Sequence, residues 1–241
     1  MKKIILFLLI TIPIFSFAQE EKAKWDFPVK PGTEEWKKLK NEKERFSTLQ
    51  VPSEIINDLS TEELIKTCIN FPSFGYYSAY ENYQTGFLIV AEKFNGLREL
   101  PKRIDAFQHL VKIYQNAGDK RFNPIIQGIH SDYWTLRLGW IELLISQKKI
   151  LKQGNLENQK QLMKICFEKY SLKIKSEEFS SAGAETTLFL MARILETVNT
   201  KAYEEECFKN PSIRLFSNTS KMVDSNTPNI ILELSQQFIS K

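Results

Sequence analysis

FGYYSAYENYQTGFLIVAEKFNG, residues 74 to 96, is the stretch from which the fold class of this chain is inferred. Its large apolar residues recur at intervals of four, three, four, three and four positions. This spacing keeps side chains on one face of an α-helix. Asn95-Gly96 then supplies a stop, because glycine tolerates the left-handed conformation in which many helices end. The stretch predicts one amphipathic helix whose buried stripe consists of Tyr76, Tyr80, Tyr83, Phe87, Val90 and Phe94.

Five other aromatic residues are candidate anchors for a partner. Tyr77 falls outside the stripe and is expected to be exposed, together with Phe71 and Phe74 in the loop before it. Trp25 and Phe27 belong to a proline- and glycine-containing segment that we expect to be extended and attached to the body of the protein. Exposed aromatic side chains supply much of the binding energy in protein interfaces. We therefore interpret these five residues as a possible binding surface.

Helical signals also precede and follow this stretch. Ser60 and Glu63 have the spacing of a capping box, and Leu59 and Leu64 occupy the positions of a hydrophobic staple. WTLRLGWIELLI, residues 134–145, is apolar almost all round and predicts a central helix.

Three further signals mark helices nearer the ends of the chain. Thr33 is a candidate N-cap of a first helix. Residues 182–198 form a second strongly apolar helix, and Thr227-Pro228 is read as a cap followed by proline at the first helical position.

The fold class predicted from these signals is all-α. No segment alternates with period two strongly enough to require a sheet, although SIRLF (212–216) is compatible with a short strand and YEEECF (203–208) with an acidic turn. We predict about eight helices in a single domain, residues 33–241. An irregular, superhelix-like array and a closed bundle both fit the pattern, and the array is preferred, although no repeat is visible.

Residues 1–18 have the pattern of a cleaved secretory signal peptide. Lys2 and Lys3 form a positive start, residues 4–15 are largely apolar, and Ser16 and Ala18 place small residues around a cut before Gln19. The apolar run is too short and wrongly flanked for a spanning helix, and no cysteine follows the cut for a lipid anchor. We predict export from a bacterial cell to the periplasm or the medium. Residues 19–32 would form an extended segment before the helical domain.

The expected mature chain is close to neutral. Removal of Lys2 and Lys3 leaves 31 basic and 29 acidic residues. Such a balance provides no electrostatic footprint for nucleic acid or anionic lipid. No segment after the signal peptide has the uninterrupted apolar length of a membrane span. We therefore expect neither a nucleic-acid partner nor a membrane span.

Three cysteines are too few for a disulfide scaffold. Cys68 follows Leu64, and Cys166 follows Leu162, by four positions on apolar stripes. Both are interpreted as small buried hydrophobic residues. A Cys68–Cys166 disulfide is the alternative in an oxidising compartment.

Three residues are candidates for catalysis. His130 and Asp132 are two positions apart, so the carboxylate can orient the imidazole, but the same spacing fits an N-cap. Glu142 lies in the apolar helix 134–145, where a buried carboxylate can perform acid–base chemistry. An ion pair of Glu142 with Arg137 or another basic residue is the preferred interpretation. The sequence contains no HExxH, CxxC, GxSxG, P-loop or dinucleotide-binding glycine motif, and we expect neither a metal nor a cofactor.

Three runs carry a resemblance to a known family: WDFPVKPGTEEWKKLK, VPSEIINDLSTEELIKTCINFP and FNGLRELPKRIDA. They resemble a family of secreted, all-helical proteins from Gram-negative bacteria to which no activity is assigned. Its members share a signal peptide, a Glu-x-Trp-Lys helix after a proline-glycine N-terminus, and a Leu-Ser-Thr-Glu cap before a cysteine-bearing helix. The resemblance is best over residues 25–115. It implies export and helical architecture, and it carries over no catalytic residue.

The sequence favours a binding or interaction module that is exported and presents a helical surface to a protein or peptide. The alternative is an enzyme, of unspecified reaction, whose cleft contains His130, Asp132 and Glu142. The two hypotheses differ in whether His130 and Glu142 converge in one pocket.

Ala18→Asp is expected to block removal of the signal peptide, because the residue before the cut must be small. The chain expressed in a bacterium should leave the cytoplasm and begin at Gln19, whereas the variant should retain residues 1–18. Intact mass distinguishes the two products. Thr11→Ala, away from the cut, is the control. Full-length wild-type protein confined to the cytoplasm would contradict the prediction.

Overall fold

The computed structural model describes residues 25–117, 131–175 and 181–240, without the side chains of residues 131–134, 181 and 182. Within these ranges the chain is all-α, as predicted, and contains no strand. Its fourteen α-helices exceed the predicted eight, since several predicted helices are divided. They are α1 (Glu34–Lys38), α2 (Glu42–Thr48), α3 (Ser53–Asp58), α4 (Thr61–Ile69), α5 (Tyr83–Lys93), α6 (Asn95–Glu99), α7 (Ala106–Asn116), α8 (Ser131–Ile145), α9 (Lys148–Leu151), α10 (Leu156–Lys175), α11 (Ser181–Val198), α12 (Lys201–Lys209), α13 (Pro211–Thr219) and α14 (Thr227–Ser240). Two 3-10 helices, Phe74–Ala79 and Leu100–Lys102, lie before α5 and after α6.

The aromatic stretch forms several short elements rather than one helix. The 3-10 helix Phe74–Ala79 ends before Tyr80, and α5 begins only at Tyr83. Asn82 starts α5 as its N-cap, because its side-chain oxygen accepts a hydrogen bond of 2.9 Å from the backbone N–H of Thr85. The expectation of one continuous helix is therefore wrong over residues 74–82.

The predicted stripe holds within α5 and at its C-cap. Phe87, Val90 and Phe94 are buried there, whereas the three tyrosines of the stripe are only half-buried: Tyr76, Tyr80 and Tyr83. Gly96 does not act as a stop, because it lies inside α6 and packs closely against the ring of Phe94.

Two of the capping signals in the sequence, at Thr33 and Ser60, are confirmed, whereas Thr227, expected as a cap, is the first residue of α14. Ser60 caps α4 and forms the full capping box with Glu63. Leu59 and Leu64, the two staple positions, are buried. Thr33 caps α1 by accepting a hydrogen bond of 3.2 Å from the backbone of Trp36.

Two local expectations near the C-terminus are wrong. Residues 212–216 belong to α13 rather than to a strand, and residues 203–208 belong to α12 rather than to a turn. In α13, Asn210 supplies the N-cap and Pro211 the first helical position. This is a strong helix-start signal, which outweighs the β-propensity of Ile213 and Phe216.

Helices α8 and α11 lie at the centre of the fold. Helix α11 packs against α8, α9, α10, α13 and α14, and α8 packs against α4, α5, α7, α9 and α11. Helix α5 also contacts α13, far along the chain. The other helices are therefore arranged around two central ones.

The N-terminal segment is attached through aromatic packing, as predicted. The ring of Phe27 lies 5.9 Å from those of Phe71 and Phe94. Phe71 and Phe94 are themselves stacked, with their centroids 4.3 Å apart. Trp25 packs edge-on against Phe27.

The three cysteines are free and buried, so the Cys68–Cys166 disulfide is absent. Burial raises the pKa of the Cys68 thiol, and it also raises those of Cys166 and Cys207. Cys68 and Cys166 have no exposed surface, which confirms their interpretation as core residues.

None of the helices within residues 25–117, 131–175 and 181–240 has the length and apolarity that a membrane crossing requires.

Gly86→Ala is expected to destabilise the protein by about 1–3 kcal/mol, because the added methyl group overpacks the contact between α5 and the 3-10 helix. A Cβ at Gly86 would lie 2.1 Å from the carbonyl oxygen of Tyr77. Urea unfolding measures the loss. Gly75→Ala is the matched control, since a Cβ there meets nothing within 4 Å, and its free energy of unfolding should change by less than about 0.5 kcal/mol. Equal effects at both positions would contradict the prediction.

Candidate functional site

Glu142 lies at the centre of a buried polar cluster that joins α7, α8, α10 and α11. Its Oε1 accepts hydrogen bonds of 2.7 Å from the hydroxyls of Tyr114 and Thr187. Its Oε2 accepts one of 2.6 Å from Lys173 Nζ and another from the hydroxyl of Thr186. The side chains of Glu142 and Lys173 have no exposed surface. The carboxylate is therefore paired with a cation and surrounded by donors.

The ammonium group of Lys173 is held equally well. It also donates a hydrogen bond of 2.7 Å to the carbonyl oxygen of Gly183. Burial lowers the pKa of Lys173, and the adjacent Glu142 opposes that change. Burial likewise raises the pKa of Tyr114, and Glu142 adds to this effect. A buried ion pair whose groups are all hydrogen-bonded holds helices in register, and we interpret this cluster as structural.

The basic partner of Glu142 is Lys173 and not Arg137. The prediction allowed either Arg137 or another basic residue. Arg137 instead donates hydrogen bonds of 2.6 Å to the carbonyl oxygen of Ile69 and 3.0 Å to Asn70 Oδ1. Its guanidinium group also lies 4.4 Å from the ring centroid of Phe74. Arg137 therefore joins the C-terminal end of α4 to α8.

The other two catalytic candidates, His130 and the side chain of Asp132, lie outside the described residues. The groups that contact the Glu142 carboxylate are Lys173, two threonines and a tyrosine, all provided by other helices.

Four of the five candidate aromatic anchors are buried, and for Phe71, Phe74 and Tyr77 the expectation of exposure is wrong. Phe71 has no exposed surface, and Phe27, Phe74 and Tyr77 are at most 5% exposed. Trp25 is half-buried against the core.

The reason for the error at Tyr77 is the 3-10 helix. With three residues per turn, positions i and i+3 lie on the same face, so Phe74 and Tyr77 point inward together. Tyr77 stacks on Trp140 with the ring centroids 5.9 Å apart. Its hydroxyl donates a hydrogen bond of 2.9 Å to the carbonyl oxygen of Leu136. The aromatic stretch is core, and it provides no binding surface at these positions.

An open groove of about 680 Å³ lies between α5 and α6 on one side and α8 and α9 on the other. Its volume falls in the range of ligand-binding sites in proteins. Its floor is apolar and consists of buried side chains from all four helices and the adjoining 3-10 helix. These are Phe87, Leu97, Leu100, Leu144 and Ile150.

The upper edge of the groove is open to solvent. Leu88, on α5, is 54% exposed at this edge. Ala91 and Pro101 are half-buried beside it. Helices α11 and α13 contribute Arg193 and Asn218 to the lining.

The rim of the groove carries an excess of positive charge. Among the lining residues the only acidic one is Glu92. Glu99 and Glu196 lie just outside the lining and pair with Lys102 and Lys148, each at 2.9 Å. The five basic residues of the lining therefore outnumber the three carboxylates in or beside it. The basic residues are Arg98, Lys102, Lys148, Lys149 and Arg193.

Sequence reasoning identified none of the groove residues as a site. Two local signals were present. Leu88 is a large apolar residue off the buried stripe of α5, and Lys148-Lys149 precedes the buried Ile150. Neither signal shows that these residues meet, because the groove is assembled from elements between residues 84 and 218.

In the part of the chain that the structure describes, no group of three or more acidic, histidine or cysteine side chains is placed to hold a metal ion.

Comparisons with protein-family models, with curated proteins and with solved structures find no match to this chain.

Lys173→Met is expected to lower the free energy of unfolding by about 3–5 kcal/mol, because it leaves the buried charge of Glu142 uncompensated. The added substitution Glu142→Gln removes that charge and keeps an acceptor for the hydroxyls of Tyr114 and Thr187, so the double variant should be more stable than Lys173→Met alone. Urea unfolding of the two single variants and the double variant gives the coupling energy. Lys164→Met, at an exposed position of the same helix, should have little effect. Additive losses at the two sites would contradict the structural interpretation.

Proposed function

We propose that this protein is an exported, non-enzymatic binding module whose groove between α5–α6 and α8–α9 receives an acidic, amphipathic segment of a partner protein. The observation that carries the proposal is the combination of an open apolar floor with a basic rim. Export is supported by the signal-peptide pattern of residues 1–18.

The apolar floor supports an amphipathic ligand. Leu88 is 54% exposed beside Ala91 and Pro101, so a ligand that covers it removes apolar surface from water. Such burial contributes about 25 cal/mol per Å². A helix that places residues i, i+3, i+4 and i+7 into a groove is a recurring way of binding such a surface.

The shape of the groove favours a segment of a protein over a small molecule. Sites for small molecules typically enclose most of the ligand surface. This groove is open along the Leu88 edge. Beyond Asn218 it adjoins a second depression, lined by Phe208 and Leu215, which are 89% and 40% exposed. A ligand longer than the groove would therefore find further apolar surface at that end.

The charge of the rim favours an acidic ligand. Lys149 and Arg98 are exposed, and charges at the rim of an interface mainly increase the rate of association with an oppositely charged partner. The chain as a whole is nearly neutral after removal of the signal peptide, so the attraction would be local to this surface.

The alternative of an enzyme centred on Glu142 is not favoured. Both carboxylate oxygens of Glu142 are occupied by donors, and the side chain is fully buried. A general acid or base must reach the proton of its substrate within hydrogen-bond distance. At least one of these donors would have to leave, and the enclosing helices would have to separate, before a substrate could reach Glu142.

The proposal predicts that a designed acidic peptide binds the groove and that charge reversal at the rim weakens binding. The probe is a fluorescein-labelled amphipathic helix of about 18 residues, with leucines on one face and glutamates on the flanks. Arg98→Glu and Lys149→Glu should each raise the Kd by about tenfold, equivalent to about 1.4 kcal/mol. Fluorescence anisotropy measures the Kd, and added salt should reduce the difference between wild type and variants.

Two controls accompany this experiment. Lys164→Glu reverses an exposed charge on α10, outside the groove lining, and should leave the Kd unchanged. A peptide with the same leucines and lysine in place of glutamate should bind more weakly. Equal binding of the two peptides would overturn the proposal. Displacement of the acidic peptide by decanoate at comparable concentration would assign the groove to a small amphiphile instead.

A further inference from the structure

Arg193 is the most unusual residue of the groove, because it lines the groove yet is only 4% exposed. A buried cation is costly unless it is paired and hydrogen-bonded. The hydrogen bonds of Arg193 are therefore informative about what the groove receives.

The guanidinium group of Arg193 uses little of its hydrogen-bonding capacity. Its Nη1 lies 3.5 Å from Glu196 Oε2, at the outer limit of a hydrogen bond. Its Nε is buried and has no hydrogen-bond partner among the described residues. The face of Phe189, 5.0 Å away, provides a cation–π contact but accepts no N–H of ordinary geometry. An arginine has five N–H donors in a planar fork.

Among the described residues, two of the three other arginines with buried Nε atoms are held by well-formed hydrogen bonds. Arg103 donates hydrogen bonds of 3.0 and 2.9 Å to the carbonyl oxygens of Leu59 and Ile56. Arg137 donates hydrogen bonds of 2.6 and 3.0 Å to acceptors at the end of α4. Both are anchored by two well-formed hydrogen bonds. Arg193 has one long contact.

The charge around Arg193 also leaves room for an anion. Glu196 is shared, because its Oε1 accepts a hydrogen bond of 2.9 Å from Lys148 Nζ. Lys148 donates in addition to Asn218 Oδ1 at 3.1 Å. Glu196 therefore pairs with both Lys148 and Arg193. These three side chains together carry a net positive charge.

We infer that Arg193, together with Lys148, forms a carboxylate-binding subsite at the α11 end of the groove. The inference rests on the proposed function and specifies it. A carboxylate matches the fork of a guanidinium group and can accept two parallel hydrogen bonds from it. The ligand carboxylate belongs either to an aspartate or glutamate side chain or to the C-terminus of the partner chain. Arg193 thus determines specificity, whereas the apolar floor supplies affinity.

The test compares peptides that differ only in carboxylates. The acidic peptide described above is prepared with a free C-terminus and with an amidated C-terminus, and as a series in which single glutamates are replaced by glutamine. Wild-type protein should prefer one carboxylate-bearing peptide over its neutral analogue by about tenfold or more, as expected for a hydrogen bond between charged groups. The pair that shows this preference tells whether the carboxylate is terminal or on a side chain.

Arg193→Gln should reduce the preference to less than about twofold while the neutral analogue binds as before. Arg193→Lys should retain part of it, because the charge remains and the fork is lost. Arg103→Gln is the matched control, since Arg103 has a buried Nε, lies outside the groove lining and is well hydrogen-bonded. It should leave the preference unchanged. The ratio of two affinities does not depend on the fraction of protein that is folded.

A measurement on wild-type protein keeps the inference testable if the variants fail to fold. The ¹H–¹⁵N signal of Arg193 Nε should shift when the carboxylate peptide is added and stay in place with the neutral analogue. A preference that persists in Arg193→Gln would overturn the subsite. If neither peptide is preferred but Lys149→Glu weakens the binding of both, the carboxylate subsite is wrong and the proposal that the groove binds the peptide remains valid. If neither peptide binds, the proposed function fails as well.

Discussion

The burial of one carboxylate, that of Glu142, constrains the arrangement of the central helices. A charge inside an apolar helix is tolerated only where donors reach it at hydrogen-bond distance. Here they come from Tyr114 on α7, Lys173 on α10 and the two threonines at 186 and 187 on α11. Such bonds are short and directional, so they fix both the rotation of α11 and its height beside α8. The same two helices continue to the groove, where α8 supplies Leu144 and α11 supplies Arg193. The cluster thereby positions one wall of the proposed binding site.

Features that depend on residues within one or two turns of helix could be predicted from the sequence. The capping box of Ser60 and Glu63 is one, and the central apolar helix at residues 134–145 is another. The aromatic stretch was harder, because its intervals fit an α-helix over its whole length. The side chain of Asn82 caps α5 and thereby separates it from the tighter turns before it. Since a capping side chain competes with helix continuation only in context, spacing alone favoured the longer helix.

The candidate site could be predicted only in part. That Glu142 needs a basic partner follows from its position in an apolar helix, but the identity of that partner does not. Arg137, on the same helix, is nearer in sequence than Lys173, yet it points toward the end of α4. The groove was beyond sequence reasoning altogether, because its basic residues come from separate helices, and their excess disappears in a nearly neutral total charge. Local charge density is a property of the folded surface.

The burial of all three thiols bears on how such a chain would fare in an oxidising environment. Disulfide exchange proceeds through the thiolate, and a thiol with a raised pKa and no access to solvent is a poor nucleophile. Cys68 and Cys166 are enclosed, and Cys207 is 5% exposed. In the folded protein, Cys68 and Cys166 are therefore shielded from oxidants and from thiol–disulfide exchange. Their oxidation would require at least partial separation of the helices that enclose them.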